Sequence, residues 1–381
     1  MLQPPAGKGW HREYIQRTDS ETGGTITQLT SAPMVHENIY PEAPVFTPDS
    51  RYFIYSRRQA LDMPREYWLA DLANLYVRRL TDEENVKGPV VSPDGKWMYY
   101  VVEGDRIELK RLSLQTYERE TWMTTDSIHD AYSLGTIRHD GCTYVTSGSV
   151  RPGVWAVVKF DLVSRQATVI LEGDQICNAH PQYDPGATND VLVQENHGCK
   201  FDDDGRLVSL TSGYGADLHV IDDEGGNMRD LHLGRSDLEM IQGHQCWVGD
   251  TGRVLSTLVR RDTPDEAFRS DRIVTISPGQ DDRRVVSHGK EFSHPCCSRD
   301  AEWWACDETG TGDIYLGSMI TRNFALLVHS GASFGSPQYT HPHPAFSPDG
   351  RKVAFNSDIT GIPQVHVAWL TPDMQQQLLD E

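Results

Sequence analysis

Apolar and polar residues alternate along the chain in short runs, and one unit recurs. Three copies are plain: FTPDSRYFIYS from Phe46, VSPDGKWMYYV from Val91 and FSPDGRKVAFNSD from Phe346. Each copy has a short apolar segment, a Pro-Asp-Gly-like turn and a second segment of alternating polarity, which is the pattern of a β-hairpin. Helical periodicity is weak throughout, so the pattern predicts an all-β protein built from repeated hairpins.

Weaker copies bring the number of repeats to seven. Their turn residues are Asp49, Asp94, Asp140, Gly186, Asp250, Asp300 and Asp349. The spacings are 45, 46, 46, 64, 50 and 49 residues. Seven copies at this period predict a seven-bladed β-propeller, forming a single domain over residues 1–381. The hairpins of the blades are expected near 46–56, 91–101, 137–146, 183–193, 247–259, 297–307 and 346–358.

The two ends of the repeat pattern complement each other. The seventh copy continues with only one further strand, VHVAWL, whereas GTITQLTSAP near the N-terminus has the pattern of an outer strand. We therefore expect a strand near Thr25–Leu29 to close the last blade, which leaves no unpaired edge at the seam. The one long spacing predicts an insertion at about residues 194–215, and long insertions often carry function.

Histidines recur in phase with the repeat. Six residues before the turn residue, four successive repeats carry His180, His244, His294 and His343. The phase places them at the start of the innermost strand of each blade, so they should converge at one mouth of the central channel. His341 lies two residues before His343, which puts both on one face of a strand.

Two interpretations of these histidines remain open. They could be structural residues that bond the backbone of the neighbouring blade, or they could form a cluster for metal binding or proton transfer. The first three repeats have Ala43, Gly88 and Leu134 at this phase, so the fold does not itself require imidazole there. The pattern favours the cluster.

Composition and charge exclude several classes of partner. Lys and Arg minus Asp and Glu is 35 − 55 = −20, so a nucleic acid would be repelled, and a small acidic ligand would need a locally positive site. There is no apolar run long enough for a membrane span. The first residues lack the apolar stretch of a secretory leader, so we expect none to act there. Seven cysteines without a CxxC pair indicate reduced thiols and a cytoplasmic protein. The sequence indicates no particular oligomeric state.

The segment QYTHPHPAFSPDGRKVAFNSDITGIPQVHVA, from Gln338 to Ala368, resembles the closing blade of the oligogalacturonate lyases, cytoplasmic seven-bladed propellers of pectin breakdown. The resemblance extends to TITQLTSAPMVHENIY, to HPQYDP at His180, to GHQCW at His244 and to SHPCC at His294. The Gln-x-x-His-x-His motif is its specific part, because SPDG hairpins occur in many propellers.

The resemblance implies a site. In the family, a Mn²⁺-type ion is held by one Gln and three His, which match Gln338, His341, His343 and His294 here. The position of His244 lies in the catalytic centre, and we expect His244 to be the base. His180, one blade further away, is expected to orient the substrate.

One position departs from the family pattern. The resemblance implies a catalytic arginine where this chain has Asp217, and no arginine occurs between Arg206 and Arg229. Lys200, Arg206 and Tyr214 in the predicted insertion are candidates for the missing group, and we assign substrate binding to Lys200.

These observations predict a metal-dependent lyase that cleaves short uronate oligosaccharides by β-elimination. A divalent ion on the sugar carboxylate would stabilise the charge that develops when the C5 proton leaves, and imidazole and amide ligands do not cancel the ion's charge. One alternative is a lyase or glycoside hydrolase for a different uronate-containing glycan. Another is a non-catalytic binding or scaffold propeller, although a scaffold has no use for four imidazoles at one channel mouth.

Overall fold

The chain folds into a ring of antiparallel sheets. A computed structural model describes residues 9–203, 207–211, 215–234, 239–260 and 272–380. Within these ranges there are seven sheets of four or five strands and one two-stranded hairpin. Successive sheets contact each other through their inner strands, and the last contacts the first. The predicted seven-bladed β-propeller is therefore confirmed.

The strands of each blade follow the chain from the central channel outwards. Blade 1 contains Val35–Asn38, Tyr52–Arg58, Glu66–Asp71 and Tyr76–Arg79. Blade 2 contains Val86–Val91, Trp97–Glu103, Ile107–Ser113 and Arg119–Thr125. Blade 3 contains Gly135–Ile137, Thr143–Arg151, Val154–Asp161 and Gln166–Gly173. Blade 4 contains Gln182–Tyr183, Asp190–Asn196, Ala216–Asp222 and Arg229–Asp230.

The remaining blades repeat this order. Blade 5 contains Glu239–Trp247, Val254–Arg260, Arg272–Ile276 and Arg284–Ser287. Blade 6 contains Phe292–Cys297, Trp303–Glu308, Ile314–Ser318 and Phe324–Val328. Blade 7 contains Ala345–Phe346, Lys352–Ser357 and Gln364–Trp369, followed by two strands from the N-terminal part of the chain.

The N-terminal part of the chain closes the ring. Thr25–Gln28 pairs antiparallel with Gln364–Trp369, with Ile26 opposite Ala368. This is the predicted closing strand. Two further edge strands were not predicted: Ile15–Thr18 extends blade 7, while Trp10–His11 extends blade 1. The same segment thus covers the outer edges of the two blades that meet at the seam.

The turn of the repeat is held by its aspartate. At Asp94, one carboxylate oxygen accepts hydrogen bonds from Ser92 Oγ at 2.6 Å and from the Lys96 backbone N–H at 3.1 Å. The same pair of bonds occurs at Asp49, Asp300 and Asp349. A short polar side chain that bonds its own turn favours the hairpin locally, which explains why the repeat is visible in the sequence.

The core lies between neighbouring blades. The second strand of each blade is packed on both faces, so that in Lys352–Ser357 every residue is buried. The outermost strands are more exposed, as in Gln166–Gly173 of blade 3. A polar side chain buried between blades needs a hydrogen-bond partner there, so unpaired buried nitrogens are informative.

Two elements lie outside the blades. Lys200–Phe201 and Leu207–Ser209 form a small hairpin between the second and third strands of blade 4. The helix Pro372–Leu379 begins after Thr371, whose hydroxyl accepts from the Met374 N–H at 3.3 Å, and it packs on blade 6. The sequence analysis did not predict this helix.

In the described part of the chain, no helix has the length and apolar character needed to cross a membrane.

Candidate functional site

Bulges in the inner strands direct two of the phased histidines. In blade 5 the pairing register shifts between Ile241 and Gln245, and His244 lies in this irregularity. In blade 6 a similar shift surrounds His294. A bulge turns a side chain away from the regular alternation of a strand, and bulges are frequent beside functional sites. Local backbone irregularity, as well as repeat phase, therefore sets the positions of these imidazoles.

In blades 4 and 7 the phased histidines themselves adopt a left-handed backbone conformation, which directs their side chains. The φ angle is 45° at His180 and 47° at His343, a region that residues other than glycine seldom adopt. Each histidine immediately precedes a proline and the first strand of its blade. Strained backbone of this kind persists only where the surroundings enforce it and is concentrated at functional sites.

Three histidines converge on one point. His294, His341 and His343 each offer one ring nitrogen, and these atoms all lie within 4.8 Å of one another. His294 Nε2, His343 Nε2 and His341 Nδ1 are buried and have no hydrogen-bond partner among the described residues. Buried polar atoms are normally paired, so three convergent unpaired nitrogens fit a metal ion, for which imidazole is a common ligand.

In two members of this triad, the nitrogen opposite the unpaired one is held by the protein. His294 Nδ1 lies 2.9 Å from Oδ2 of buried Asp307. The other carboxylate oxygen, Oδ1, accepts a hydrogen bond from the backbone N–H of His294 at 2.7 Å. His341 Nε2 donates to the Gly335 carbonyl at 2.7 Å, and its ring stacks on Phe334 with centroids 4.2 Å apart. Such partners fix the tautomer and the orientation of a ligating imidazole.

Burial favours the neutral form of two members of the triad, His294 and His343. It is the main reason that the pKa of His294 and of His343 lies well below that of free imidazole, and neighbouring imidazoles lower both further. Burial also raises the pKa of Asp307, an effect that the nearby His343 opposes. A neutral imidazole is the form that can coordinate a metal ion.

His244 lies beside the triad with one nitrogen free to act. Its ring centroid is 4.0 Å from that of His294, and its Nδ1 donates to the Ser293 carbonyl in blade 6 at 3.1 Å. This is the neighbouring-blade bond that the structural interpretation of the histidines predicts. It uses only Nδ1, so the Nε2 lone pair remains available. Burial, followed by the effect of His294, lowers the pKa of His244 well below its usual value.

His180 is bonded through both ring nitrogens. Its Nδ1 bonds the buried carboxylate of Glu42, and its Nε2 lies 3.0 Å from the Tyr132 hydroxyl. The other Glu42 oxygen accepts from the side chain of Gln182. His180 is thus fixed at the rim of the cluster, in an environment different from that of the triad.

A cavity of about 470 Å³ opens above these groups. Its wall includes His180, His244, His343 and Gln338. Tyr40 also lines it, and the Tyr40 ring lies 4.7 Å from that of His343. The size is typical of a pocket for a small organic ligand.

The other predicted residues have varied positions. Gln338 is exposed on the one-turn 3₁₀ helix Gln338–Thr340 and faces the cavity that contains His343. Lys200 is exposed on the small hairpin and is not among the residues that line the cavity. Asp217 accepts a hydrogen bond from His197 Nε2 at 2.7 Å. Arg206 and Tyr214 lie outside the described residues.

Sequence reasoning missed the groups that support the histidines. Asp307 lies seven residues after its turn residue, a position that is polar in several repeats: Ser56, Ser147, Thr257 and Asn356. The available signal was a carboxylate, Asp307, directly after the apolar run WWAC. Glu42, Tyr40 and Tyr132 carry no such signal, because they come from segments that meet only in the closed ring.

The fold and the site define a β-propeller with a histidine cluster suited to a metal ion at the base of a cavity. The chain matches no family model. It is 25% identical to an oligogalacturonide lyase of Pectobacterium atrosepticum over 395 residues, covering 92% of this chain and 94% of the relative. It is also 25% identical to an oligogalacturonate lyase of Dickeya dadantii, covering 95% of this chain and 97% of that protein.

Solved structures agree on the fold. An oligogalacturonate lyase in complex with manganese has a TM-score of 0.78 at 21% identity and covers 97% of this chain and 99% of its own. An oligogalacturonate lyase from Vibrio parahaemolyticus has a TM-score of 0.76 at 18% identity, covering 97% of this chain and 100% of its own. The resemblance to the oligogalacturonate lyases that the motifs indicated is therefore confirmed over nearly the whole chain.

Proposed function

We propose that this protein is a metal-dependent lyase that cleaves short uronate oligosaccharides of the oligogalacturonate type by β-elimination. The observation that carries the proposal is the convergence of three unpaired imidazole nitrogens beside a cavity that His343 and His244 line. The relatives at 25% identity are named as lyases of this substrate, and one similar structure contains manganese. Mn²⁺ is the metal that we propose for this chain.

The proposed ligands are His294, His341 and His343, together with Gln338 at the cavity wall. When bound, a divalent ion would act as a Lewis acid toward the uronate carboxylate and stabilise the charge that develops beside it. Asp307 and the Gly335 carbonyl hold two of the imidazoles with their free nitrogens inwards. The protein therefore presents a preformed set of ligands and does not have to order them when the ion binds.

His244 is the proposed base. Its Nε2 would accept the C5 proton, the C5–H electron pair would form the C4–C5 double bond, and the bond from C4 to the linking oxygen would break. That oxygen takes up one proton, so the reaction consumes no water. The Ser293 carbonyl fixes the tautomer in which Nε2 carries the lone pair. His180, held by Glu42 and Tyr132, is proposed to orient the sugar from the opposite rim.

The metal assignment is tested by elemental analysis. We expect the double variant His341→Ala/His343→Ala to lose bound Mn²⁺, because two of the three convergent nitrogens are removed. The control is His329→Ala, since His329 bonds Glu21 and Asp313 and is not part of the triad. Full metal content in the double variant would show that the ion lies elsewhere.

The reaction is tested by the ultraviolet absorbance of an unsaturated uronate product. The purified protein with Mn²⁺ is offered a panel of acidic oligosaccharides, and reducing ends are counted in parallel. Product absorbance with new reducing ends indicates elimination, while new reducing ends alone indicate hydrolysis. Absence of both across the panel would contradict an enzymatic function and favour a binding propeller.

Asp217 favours a second candidate, a lyase for a different uronate. An aspartate bonded to His197 stands where the resemblance implies a catalytic arginine, so the groups around the sugar differ from the family pattern. Lys200 remains a predicted substrate ligand, although it is not one of the residues that line the cavity. The same panel separates the two candidates, because it ranks galacturonate against other uronates.

A cytoplasmic location is also part of the proposal. All seven cysteines are free thiols, four of them buried. Reduced cysteines are usual in the cytoplasm and unusual in secreted proteins.

A further inference from the structure

The cavity wall contains a cation that no part of the proposed mechanism uses. Among the described residues that line the cavity, Arg65 is the only lysine or arginine. It immediately precedes the third strand of blade 1, and blade 1 adjoins blade 7, which carries His343. The side chain is 30% exposed, so it is positioned by the wall and still open to a ligand.

The local charge around Arg65 does not cancel. Arg65 Nη2 lies 3.4 Å from Oε2 of Glu37, but the same oxygen lies 2.8 Å from Nη2 of Arg58. Two guanidinium groups therefore share one carboxylate, which leaves one net positive charge. Glu37 and Arg65 both line the cavity and Arg58 does not, but Arg58 is the nearer partner of Glu37, so Arg65 presents a guanidinium that is only partly neutralised.

Arg65 also retains donors for a ligand. A guanidinium group has five N–H donors, and the contacts of Arg65 with Glu37 and the Tyr67 hydroxyl engage only part of them. Its planar fork matches a carboxylate and can bind it through two parallel hydrogen bonds. In a chain with a net charge of −20, such a group gives an acidic ligand a second point of attraction.

We propose that Arg65 binds the carboxylate of a second uronate, next to the sugar that loses its proton at His244. This inference rests on the proposed function and adds to it a residue that recognises the sugar next to the reacting one. Arg65 is then a specificity-determining residue, and it acts where Asp217 supplies no positive charge. Because the contact is made before and during the reaction, its loss should raise KM more than it lowers kcat.

The test compares two substrates in the Mn²⁺-loaded full-length protein. One is digalacturonate, and the other is its methyl monoester, in which the sugar that keeps its C5 proton is neutral. We expect the wild type to prefer the diacid by about tenfold to hundredfold in kcat/KM, the usual size of a charged hydrogen-bonded contact. Arg65→Gln should lose this preference, mainly through KM, and Arg65→Lys should restore part of it.

Arg79→Gln is the matched control, because it removes an arginine of the same blade that pairs with Glu66, outside the Glu37 cluster, and that does not line the cavity. It should keep the preference for the diacid. Equal loss in both variants, or an unchanged preference in Arg65→Gln, would overturn the role of Arg65 while leaving the lyase function intact. If the wild type cleaves neither substrate nor any other uronate, both proposals fail. Thermal unfolding of each variant separates loss of folding from loss of binding.

Discussion

At His244, one hydrogen bond decides what the residue can do. The Ser293 carbonyl accepts a hydrogen bond from Nδ1, which leaves the lone pair on Nε2, and the partly exposed ring lines the cavity. In His180, by contrast, both ring nitrogens are bonded, so neither is available to accept a proton from a substrate. The difference between a candidate base and a fixed positioning group therefore lies in the partners of the second nitrogen.

The role of His244 predicts a separation of activity from metal content. His244→Ala should lower turnover by about a hundredfold to ten-thousandfold, the usual contribution of a general base. Bound Mn²⁺ should stay at the wild-type level, because His244 is outside the triad. Turnover and elemental content are measured on the same preparation. Loss of the metal would make His244 a ligand, and unchanged turnover would remove it from the mechanism.

Asp307 is predicted to act through His294. Asp307→Asn replaces a carboxylate that orients the His294 ring, so Mn²⁺ affinity should fall by about tenfold to hundredfold. Calorimetric titration with Mn²⁺ measures the change. Asp313→Asn is the control, because Asp313 holds His329 in the same way, at 2.8 Å from Nδ1, away from the triad. Equal affinity in the wild type and Asp307→Asn would refute this role.

At the scale of the element, the N-terminal strand stabilises the whole ring. Ile26 in Thr25–Gln28 is fully buried among side chains of blades 6 and 7, whereas Ile15 in the neighbouring Ile15–Thr18 is 52% exposed. One strand thus completes the core of the last blade, and the other only covers its edge.

This contrast predicts different costs for the same substitution. Ile26→Ala should lower the free energy of unfolding by about 2–5 kcal/mol, since it removes buried methyl groups and leaves a cavity. Ile15→Ala should change it by less than about 0.5 kcal/mol. Urea unfolding gives both values. Similar effects for the two variants would mean that closure does not depend on the buried face of Thr25–Gln28.

At the scale of the whole molecule, buried histidines couple stability to pH. Burial lowers the pKa of His36 to about 3, with a further decrease from Arg57 and an opposing effect of Glu13. Burial, and then Arg17, lowers the pKa of His366 to about 3 as well. His36 lies in the first strand of blade 1 and His366 in the third strand of blade 7. These two strands contact each other, and neither residue belongs to the triad.

Folding should therefore weaken in acid. Each imidazole is neutral in the folded chain and takes up a proton near pH 6.5 when unfolded, so its contribution is complete above about pH 6.5 and decreases below it. Between about pH 7.5 and pH 5, each should reduce the free energy of unfolding by about 2 kcal/mol. His36→Gln and His366→Gln should each reduce this pH difference, and exposed His11→Gln should not. Urea unfolding at the two pH values is the measurement, and an unchanged difference in both buried variants would contradict the assignment.

The architecture and the triad differ in how far the sequence predicts them. The hairpins follow from local chemistry, since Asp94 and its equivalents bond residues only two positions away. The phased histidines were visible for the same reason. Each lies six residues before the turn residue of its repeat, and this constant spacing places all four in or just before the innermost strand. Their supporting groups were not predicted. Asp307 reaches His294 from the next strand of the same blade, and Glu42 reaches His180 from another blade, 138 residues away in the sequence.

By itself, the sequence determined the seven repeats, the closing strand and the phase of the histidines, because short-range hydrogen bonds and alternating burial define each hairpin. Only the tertiary structure decided which imidazole nitrogens are free and which are bonded, as the contrast between His244 and His180 shows. It also decided that Arg65, which belongs to no motif in the sequence, lines the cavity. The physical reason is that closing the ring brings together side chains from distant blades, and their burial and pairing set the chemistry of each one.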